Sequence, residues 1–471
     1  MFRHTQYRSS ARSIIWKSIG LVVVSAALLG GIFGINTVRE YISRANSEPA
    51  NITIDTKVVI GPLPRPWRYL AQGGEEADWR IQPINKQVKA LNPAYIRIDH
   101  IYDFYDIVKG TSGNLSFDFS KFDVILNDIA ATGAKPYIAL SYMPPAISSG
   151  DIVAAPQNYA DWQVVVQRTI EHVSGTRGIS DVYYEVWNEP DLFGGWKTYG
   201  SKNYLQLYGA AARGAQSARV SQPFKIGGPA ITALYKNWFD ALLTYASENN
   251  LRLDFFSWHR YSNDLDQFRK DMFEVQSWIA KYPQYQPTLE FHVSEWGHDS
   301  KNHPGYDSSF GAAHTVAGAI EMIGVVDKAF VFEIQDGKDP AGQAFWGRWG
   351  MLTHRDFGSQ QKPRYKGMLL LEDLGYERLQ LLGKGTYVKA VAARKSQTLF
   401  QVLLANYDPR AQNIETVPVT FQNVEPGTYR VTKTYISRAK EVSTVATTEL
   451  GLQITVPLNV SEVALVAVEK L

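Results

Sequence analysis

The stretch Val182-Tyr183-Tyr184-Glu185-Val186-Trp187-Asn188-Glu189-Pro190 decides how this chain folds and where its chemistry sits. Its β-branched and aromatic residues favour an extended strand that gives out at Pro190. Side chains alternate along a strand, so Tyr183, Glu185, Trp187 and Glu189 are expected on one face, with two carboxylates pointing the same way. Working outward, comparable runs fall at 58–60, 95–98, 136–140, 225–228, 253–258, 289–293 and 328–334, making eight candidate strands with 182–187. Between them, 162–173, 204–218, 238–246, 268–279 and 312–325 carry apolar residues at helical spacing. Strand and helix that alternate eight times call for a parallel sheet with crossovers. Closure into a (β/α)8 barrel is the expected solution, and a doubly wound open sheet is the alternative left by alternation alone.

The run at 289–293 continues as Ser294-Glu295-Trp296-Gly297, so a further acid stands where a strand gives out into a loop. Barrel active sites form at the C-terminal ends of the strands, which sets Glu189 and Glu295 across one mouth. Two carboxylates across a cleft are what glycosidic bond cleavage requires: one protonates the leaving oxygen, and the other attacks the anomeric carbon or activates water. Strand period also turns Arg97 with Asp99, Ser257 with His259 and Tyr261, and Glu333 with Gln335 to the barrel interior. Buried polar groups persist only when paired, so this layer marks a site or its support. Arg97 suits a bidentate pair with a carboxylate and is expected to lower the pKa of Glu295, while Glu185 reads as a buried partner of Arg97. Among residues that follow the strands, His100, Tyr142 and Trp346 are candidate substrate contacts. A metal reading of His292, Glu295 and His298 fails on parity, because alternation turns His292 away from the face of Glu295.

These motifs resemble the retaining glycoside hydrolases whose acid/base ends strand 4 in Asn-Glu-Pro and whose nucleophile ends strand 7, with glycoside hydrolase family 39 the nearest match. The resemblance rests on Glu185 to Pro190, on Asp254-Phe255-Phe256-Ser257-Trp258-His259-Arg260-Tyr261, on Ser294 to Gly297, and on Gly350-Met351-Leu352 with Lys362-Pro363-Arg364-Tyr365. It implies Glu189 as acid/base, Glu295 as nucleophile, Asn188 as partner of the sugar 2-hydroxyl, and His259 with Tyr261 beside the nucleophile. No cofactor and no metal are implied. Members of that family include β-xylosidases, α-iduronidases and hydrolases of bacterial exopolysaccharide. The last group fits best a chain expected to carry a single anchor and a compact C-terminal domain.

Bulk properties set the frame. Lys+Arg 48 against Asp+Glu 46 leaves a net charge of +2, which gives no pull toward nucleic acid. The 12 Trp, 26 Tyr and 21 Phe supply faces on which sugar rings stack, and the absence of cysteine excludes disulfides and thiolate chemistry. Arg3, Arg8, Arg12 and Lys17 precede an apolar run, so 1–18 is expected to be a cytoplasmic basic segment and 19–36 a transmembrane anchor. The expected order continues with a linker over 37–57, the barrel over 58–374 and a β-sandwich over 375–471, whose strands fall at 387–392, 398–404, 416–421, 428–435 and 452–456. The expected partners are a polysaccharide or oligosaccharide outside the cytoplasm and the membrane. A glycan-binding protein without catalysis is the rival from another class, and a transglycosylase is the rival within the same one.

Overall fold

The computed structural model describes residues 47–74 and 76–471. The transmembrane segment expected over 19–36 lies outside the described residues, as do 1–18 and the linker up to residue 46. Among the described residues no helix is long and apolar enough to cross a membrane.

The described chain starts with strand β1 (Ile52–Pro62), and this strand does not enter the barrel. It pairs antiparallel with a strand at 377–382 and parallel with one at 415–422, so the sandwich is built from both ends of the folded body. This corrects the placing of 58–60 as first barrel strand and of residues up to 57 as linker. Val58, Val59 and Ile60 are 39%, 36% and 51% exposed, whereas Ile52, Ile54 and Thr56 turn to the core. The alternation of Ile52-Thr53-Ile54-Asp55-Thr56 is therefore the true strand signal, and the apolar triplet is a solvent-facing extension with irregular register.

The barrel opens instead with β2 (Tyr69–Gln72), followed by β3 (Tyr95–Ile98). After β3 the chain makes a hairpin of β4 (Val108–Thr111) and β5 (Asn114–Phe117). It re-enters the barrel as β6 (Lys135–Leu140), β7 (Val182–Val186), β8 (Phe224–Ile231), β9 (Phe255–Tyr261), β10 (Glu290–Gly297) and β11 (Lys328–Phe332). These eight strands close in the order β10-β11-β2-β3-β6-β7-β8-β9, every pair parallel. Helices Tyr159–Ile170 and Tyr204–Ser217 carry Asn caps at Asn158 and Asn203, whose side chains accept from backbone N–H groups two residues on. The small residues of the second let the two pack closely: a Cβ on Gly214 would lie 2.5 Å from the carbonyl oxygen of Gln163.

The sandwich comprises β1 and β12 (Glu377–Leu382), β13 (Val388–Arg394), β14 (Leu399–Asn406), β15 (Glu415–Gln422), β16 (Thr428–Tyr435), β17 (Glu441–Ala446), β18 (Leu452–Leu458) and β19 (Val463–Lys470). They form one nine-stranded sheet, β17-β16-β19-β14-β13-β12-β1-β15-β18, around its own apolar core. Helix Ser309–Glu321 joins the two bodies. It is buried from Gly311 to Glu321 because it touches β13, β14 and β19 as well as the barrel helices. Tyr407 adds a 2.9 Å bond from its hydroxyl to the carbonyl oxygen of Asn263, in the loop after β9.

Inside the barrel the lower floor is aromatic, with Tyr137, Tyr183, Phe255 and Phe330 in one cluster flanked by Tyr69 and Tyr95. Above it the lining turns polar, and that layer carries the site.

Candidate active site

Arg97 on β3 organises the layer. Its Nε donates to Glu185 Oε2 at 2.7 Å, its Nη1 to Glu295 Oε1 at 2.8 Å and its Nη2 to Asn188 Oδ1 at 2.7 Å. Burial opposes its charge, but Glu185, Glu295 and Asp99 outweigh burial and hold its pKa above the ordinary value. Glu185 is fully buried too; burial pushes its pKa up, yet Arg97 and Ser257 bring it below the usual carboxylate value. Glu185 thus serves as the structural counter-ion of Arg97, as the strand period requires.

Two local departures from regular strand geometry assemble the rest. On β10 the register against β9 slips between Val293, opposite Trp258, and Glu295, opposite His259, leaving Ser294 as an extra residue. This bulge brings His292 and Glu295 to the same interior: His292 lies against Phe255 and Tyr137, and Glu295 meets Arg97. The expectation that His292 points away from that face is therefore corrected, because alternation stops at the bulge. On β7 the regular strand ends at Val186, and Trp187 and Glu189 take left-handed φ values of 77° and 45°. Both Asn188 and Glu189 then reach the mouth, while Trp187 packs in the core against Tyr142 and Trp196. Trp187 and Glu189 thus do not continue the face of Glu185 by simple alternation.

Glu189 and Glu295 share one imidazole. His259 Nδ1 lies 2.8 Å from Glu189 Oε1 and 3.3 Å from Glu295 Oε2. Tyr261 donates its hydroxyl to Glu295 Oε2 at 2.9 Å. Burial opposes protonation of His259, but Glu295 and Glu189 outweigh it and raise its pKa above the ordinary value. Burial also raises the pKa of Glu295; His259 and Arg97 pull against it, and Glu189 and Asp99 add to it. Arg97 does lower this pKa, as expected, but the net shift is upward because a buried carboxyl beside a second carboxyl resists ionisation.

An open cavity of about 770 Å³ covers the pair. Asn188, Tyr142, His100 and Tyr261, all expected at the site, line it. Asn188 Nδ2 donates to the Tyr142 hydroxyl at 3.1 Å, which fixes the amide. His100 Nδ1 pairs with Asp103 Oδ2 at 2.7 Å, and the imidazole lies over Gly74 so closely that a Cβ there would come within 1.9 Å of it. Three expected substrate contacts need correction. Arg97 and His259 have no exposed side-chain surface and hold the carboxylates from behind, off the cavity wall. Trp346 is not on the cavity wall; it lies under the Arg348 guanidinium at 4.2 Å, and Trp349 takes the wall position, its indole N–H donating to the carbonyl oxygen of Asp299 at 3.2 Å. Asp99, Leu192, Phe193 and Lys301 also line the cavity without having been singled out as contacts. Asp99 was legible, since it follows Arg97 by one strand period. Leu192 and Phe193 gave no signal beyond following Glu189.

One oxygen each of Glu189 and Glu295 and a nitrogen of His259 lie within 4.8 Å of one another, a spacing that also suits a metal ion. A cation there would face the Arg97 guanidinium, already 2.8 Å from Glu295 Oε1, so like-charge repulsion opposes it. The same closeness suits a retaining carboxylate pair, whose carboxyls stand about 5–5.5 Å apart, and not the roughly 6.5–9.5 Å of inverting pairs.

Comparison with known proteins agrees with this chemistry. The profile of glycosyl hydrolases family 39 matches residues 50–439. A β-xylosidase of Caldicellulosiruptor saccharolyticus is 26% identical over 378 residues, which cover 74% of this chain and 75% of that one. A β-xylosidase of Geobacillus stearothermophilus is 25% identical over 342 residues, covering 65% and 66%. Among solved structures, a monomeric β-xylosidase from Caulobacter crescentus CB15 superposes with a TM-score of 0.73 at 19% identity, covering 90% of this chain and all (100%) of that one. The match of the family profile to most of the chain settles the assignment: the chain belongs to glycosyl hydrolases family 39 and is a retaining O-glycosyl hydrolase.

Proposed function

We propose that the protein cleaves a β-glycosidic bond of a polysaccharide or oligosaccharide by double displacement, with Glu189 as acid/base and Glu295 as nucleophile. The observation that carries this reading is the approach of the two carboxylates to within 4.8 Å, both on His259 and only Glu295 on Arg97. The donors support these roles. Glu295 accepts from Arg97 and Tyr261 on separate oxygens, which favours its ionised form. Arg97 and Tyr261 donate to Glu295 and not to Glu189, which supports Glu189 in the acid/base role. A Glu295 oxygen bonds to the anomeric carbon as the bond to the leaving oxygen breaks, and Glu189 gives that oxygen its proton. Glu189 then takes a proton from water, and the water oxygen displaces Glu295. Two inversions at one carbon return the original configuration. Asn188, fixed by Arg97 and Tyr142, has a remaining N–H for a sugar hydroxyl. If a sugar hydroxyl replaces water in the second step, the same site transglycosylates.

The relatives' names support a β-glycoside, with xylosides first in the trial. The basic N-terminal residues and the apolar run after them support an anchored enzyme acting outside the cytoplasm on a cell-surface polymer, in synthesis or remodelling. Reducing ends released from a panel of plant and bacterial β-glycans by the parent, and lost in Glu189→Gln and Glu295→Gln, test the reaction. Tight binding without cleavage on every glycan would favour the glycan-binding reading. Carbonate extraction of membranes from expressing cells tests the anchor, which predicts retention in the pellet.

A further inference from the structure

Asp99 stands just past the end of β3, one strand period above Arg97. It lines the cavity although the residue is only 7% exposed. One of its carboxyl oxygens, Oδ1, is buried and has no hydrogen-bond partner among the described residues. The cationic groups around it are turned elsewhere. Arg97 gives its guanidinium to Glu185, Glu295 and Asn188, His259 meets the two catalytic glutamates, and His100 Nδ1 pairs with Asp103. Burial therefore prevails over the pull of His100 and Arg97 and raises the pKa of Asp99 above the ordinary value. A buried acceptor without a donor is costly, and on the wall of a binding cavity the ligand is the group placed to supply one.

The neighbouring strands show which part of the substrate comes to Asp99. Arg97, directly below, holds Glu295, so the sugar ring whose anomeric carbon Glu295 attacks lies over this part of the barrel. On one side β2 runs out in Gly73 and Gly74, both on the cavity wall and without a side chain to cover Asp99. On the other side, after β6, the Tyr142 hydroxyl accepts from Asn188, the partner proposed for a sugar hydroxyl. That position is taken, and Asp99 is left to meet another hydroxyl of the same ring.

We infer that Asp99 accepts a hydrogen bond from one hydroxyl of the ring that Glu295 attacks, a hydroxyl other than the one held by Asn188, and thereby selects which sugars are cleaved. This rests on the proposed role of Glu295. An ionised carboxyl accepts and does not donate, so the ring must bring a proton to that point. A sugar that lacks this hydroxyl, or carries an acyl group or a chain linkage on it, leaves Oδ1 buried and unpaired, and the site discriminates against it.

The test uses the full chain and the para-nitrophenyl β-glycoside it cleaves fastest among the xyloside, glucoside, galactoside and mannoside, with the monodeoxy form of that sugar at each ring hydroxyl. In the parent, kcat/KM is expected to fall at least tenfold for one deoxy sugar besides the 2-deoxy one. In Asp99→Ala the penalty at that position falls toward one, while the penalties at the other positions stand. Asp99→Asn, which keeps the shape and an acceptor oxygen without the charge, gives a penalty between the two and serves alone if the alanine variant does not fold. A role confined to folding or to the charge beside Glu295 would lower every substrate alike. Penalties unchanged at every position in folded variants therefore overturn the inference while leaving the hydrolase intact. No turnover by the parent of any glycoside in the panel or of any β-glycan would instead refute the reaction assignment and the inference with it.

Discussion

Replacing Tyr261 with phenylalanine removes one hydroxyl from the cavity and leaves the ring in place. That hydroxyl donates to Glu295 Oε2 at 2.9 Å and is itself held protonated, since burial and then Glu295 push its pKa well above the ordinary tyrosine value. A hydrogen bond to a charged group contributes about 1.5–3 kcal/mol net. Because the donor stabilises only the ionised carboxylate, its loss raises the pKa of the Glu295–Glu189 pair. At about 1.36 kcal/mol per pKa unit the shift is roughly one to two units. The nucleophile acts ionised, so activity is lost as pH falls through this value, and the acid limb of kcat/KM reports it as a property of the pair. In the parent that limb is expected above the ordinary carboxylate range, because burial already raises Glu295. In Tyr261→Phe it moves further up by one to two pH units, measured on a para-nitrophenyl glycoside with thermal melts to confirm folding. A limb that stays put or moves to lower pH in a well-folded variant would refute the argument that Tyr261 supports the ionised nucleophile.

Three further outcomes follow from the same structure. Gly74→Ala drives a Cβ into the His100 ring, which Asp103 and Phe104 hold in place, so kcat/KM is expected to fall more than tenfold with little change in melting temperature. Lys362→Met strips the fully buried ammonium that lies 2.6 Å from both Asp307 and Asp336, and urea unfolding is expected to show a loss of about 3–5 kcal/mol because two carboxylates remain buried and unpaired. Glu290, at the foot of β10, is disfavoured by burial but bound by His292, Lys225 and Lys328, which together hold its pKa far below the usual value. A depressed carboxylate stabilises the fold above its unfolded pKa and loses that contribution as pH falls toward its folded one. Glu290→Gln should therefore be less stable than the parent at neutral pH, and the gap in unfolding free energy should narrow below about pH 4.3.

The barrel was legible because seven of its eight strands announce themselves as apolar runs between helical segments, and the catalytic pair because each glutamate stands where such a run ends. The eighth strand was misplaced for a physical reason. Val58-Val59-Ile60 is as apolar as a buried strand yet faces solvent, while the true strand Tyr69–Gln72 is four residues long and follows a proline-rich turn. In the sandwich, β17 is exposed over most of its length and shows no alternation, and β19 is buried over most of its length and shows none either, so both escaped notice. Site geometry was less legible than site identity. The bulge at Ser294 and the left-handed turns at Trp187 and Glu189 decide which neighbours share a face, and neither has a signature in the order of residues. Trp346 and Trp349 are chemically alike in sequence, and only the path of the loop separates the one under Arg348 from the one on the cavity wall.

The most direct test of the assigned roles is to inactivate the enzyme with an activated fluorosugar that traps the glycosyl-enzyme, and to map the adduct by peptide mass spectrometry. Double displacement through this pair predicts stoichiometric labelling of the peptide that carries Glu295, and no label when Glu295→Gln is treated in the same way. Labelling of any other residue, or turnover without an adduct and with inversion at the anomeric carbon, would contradict the account.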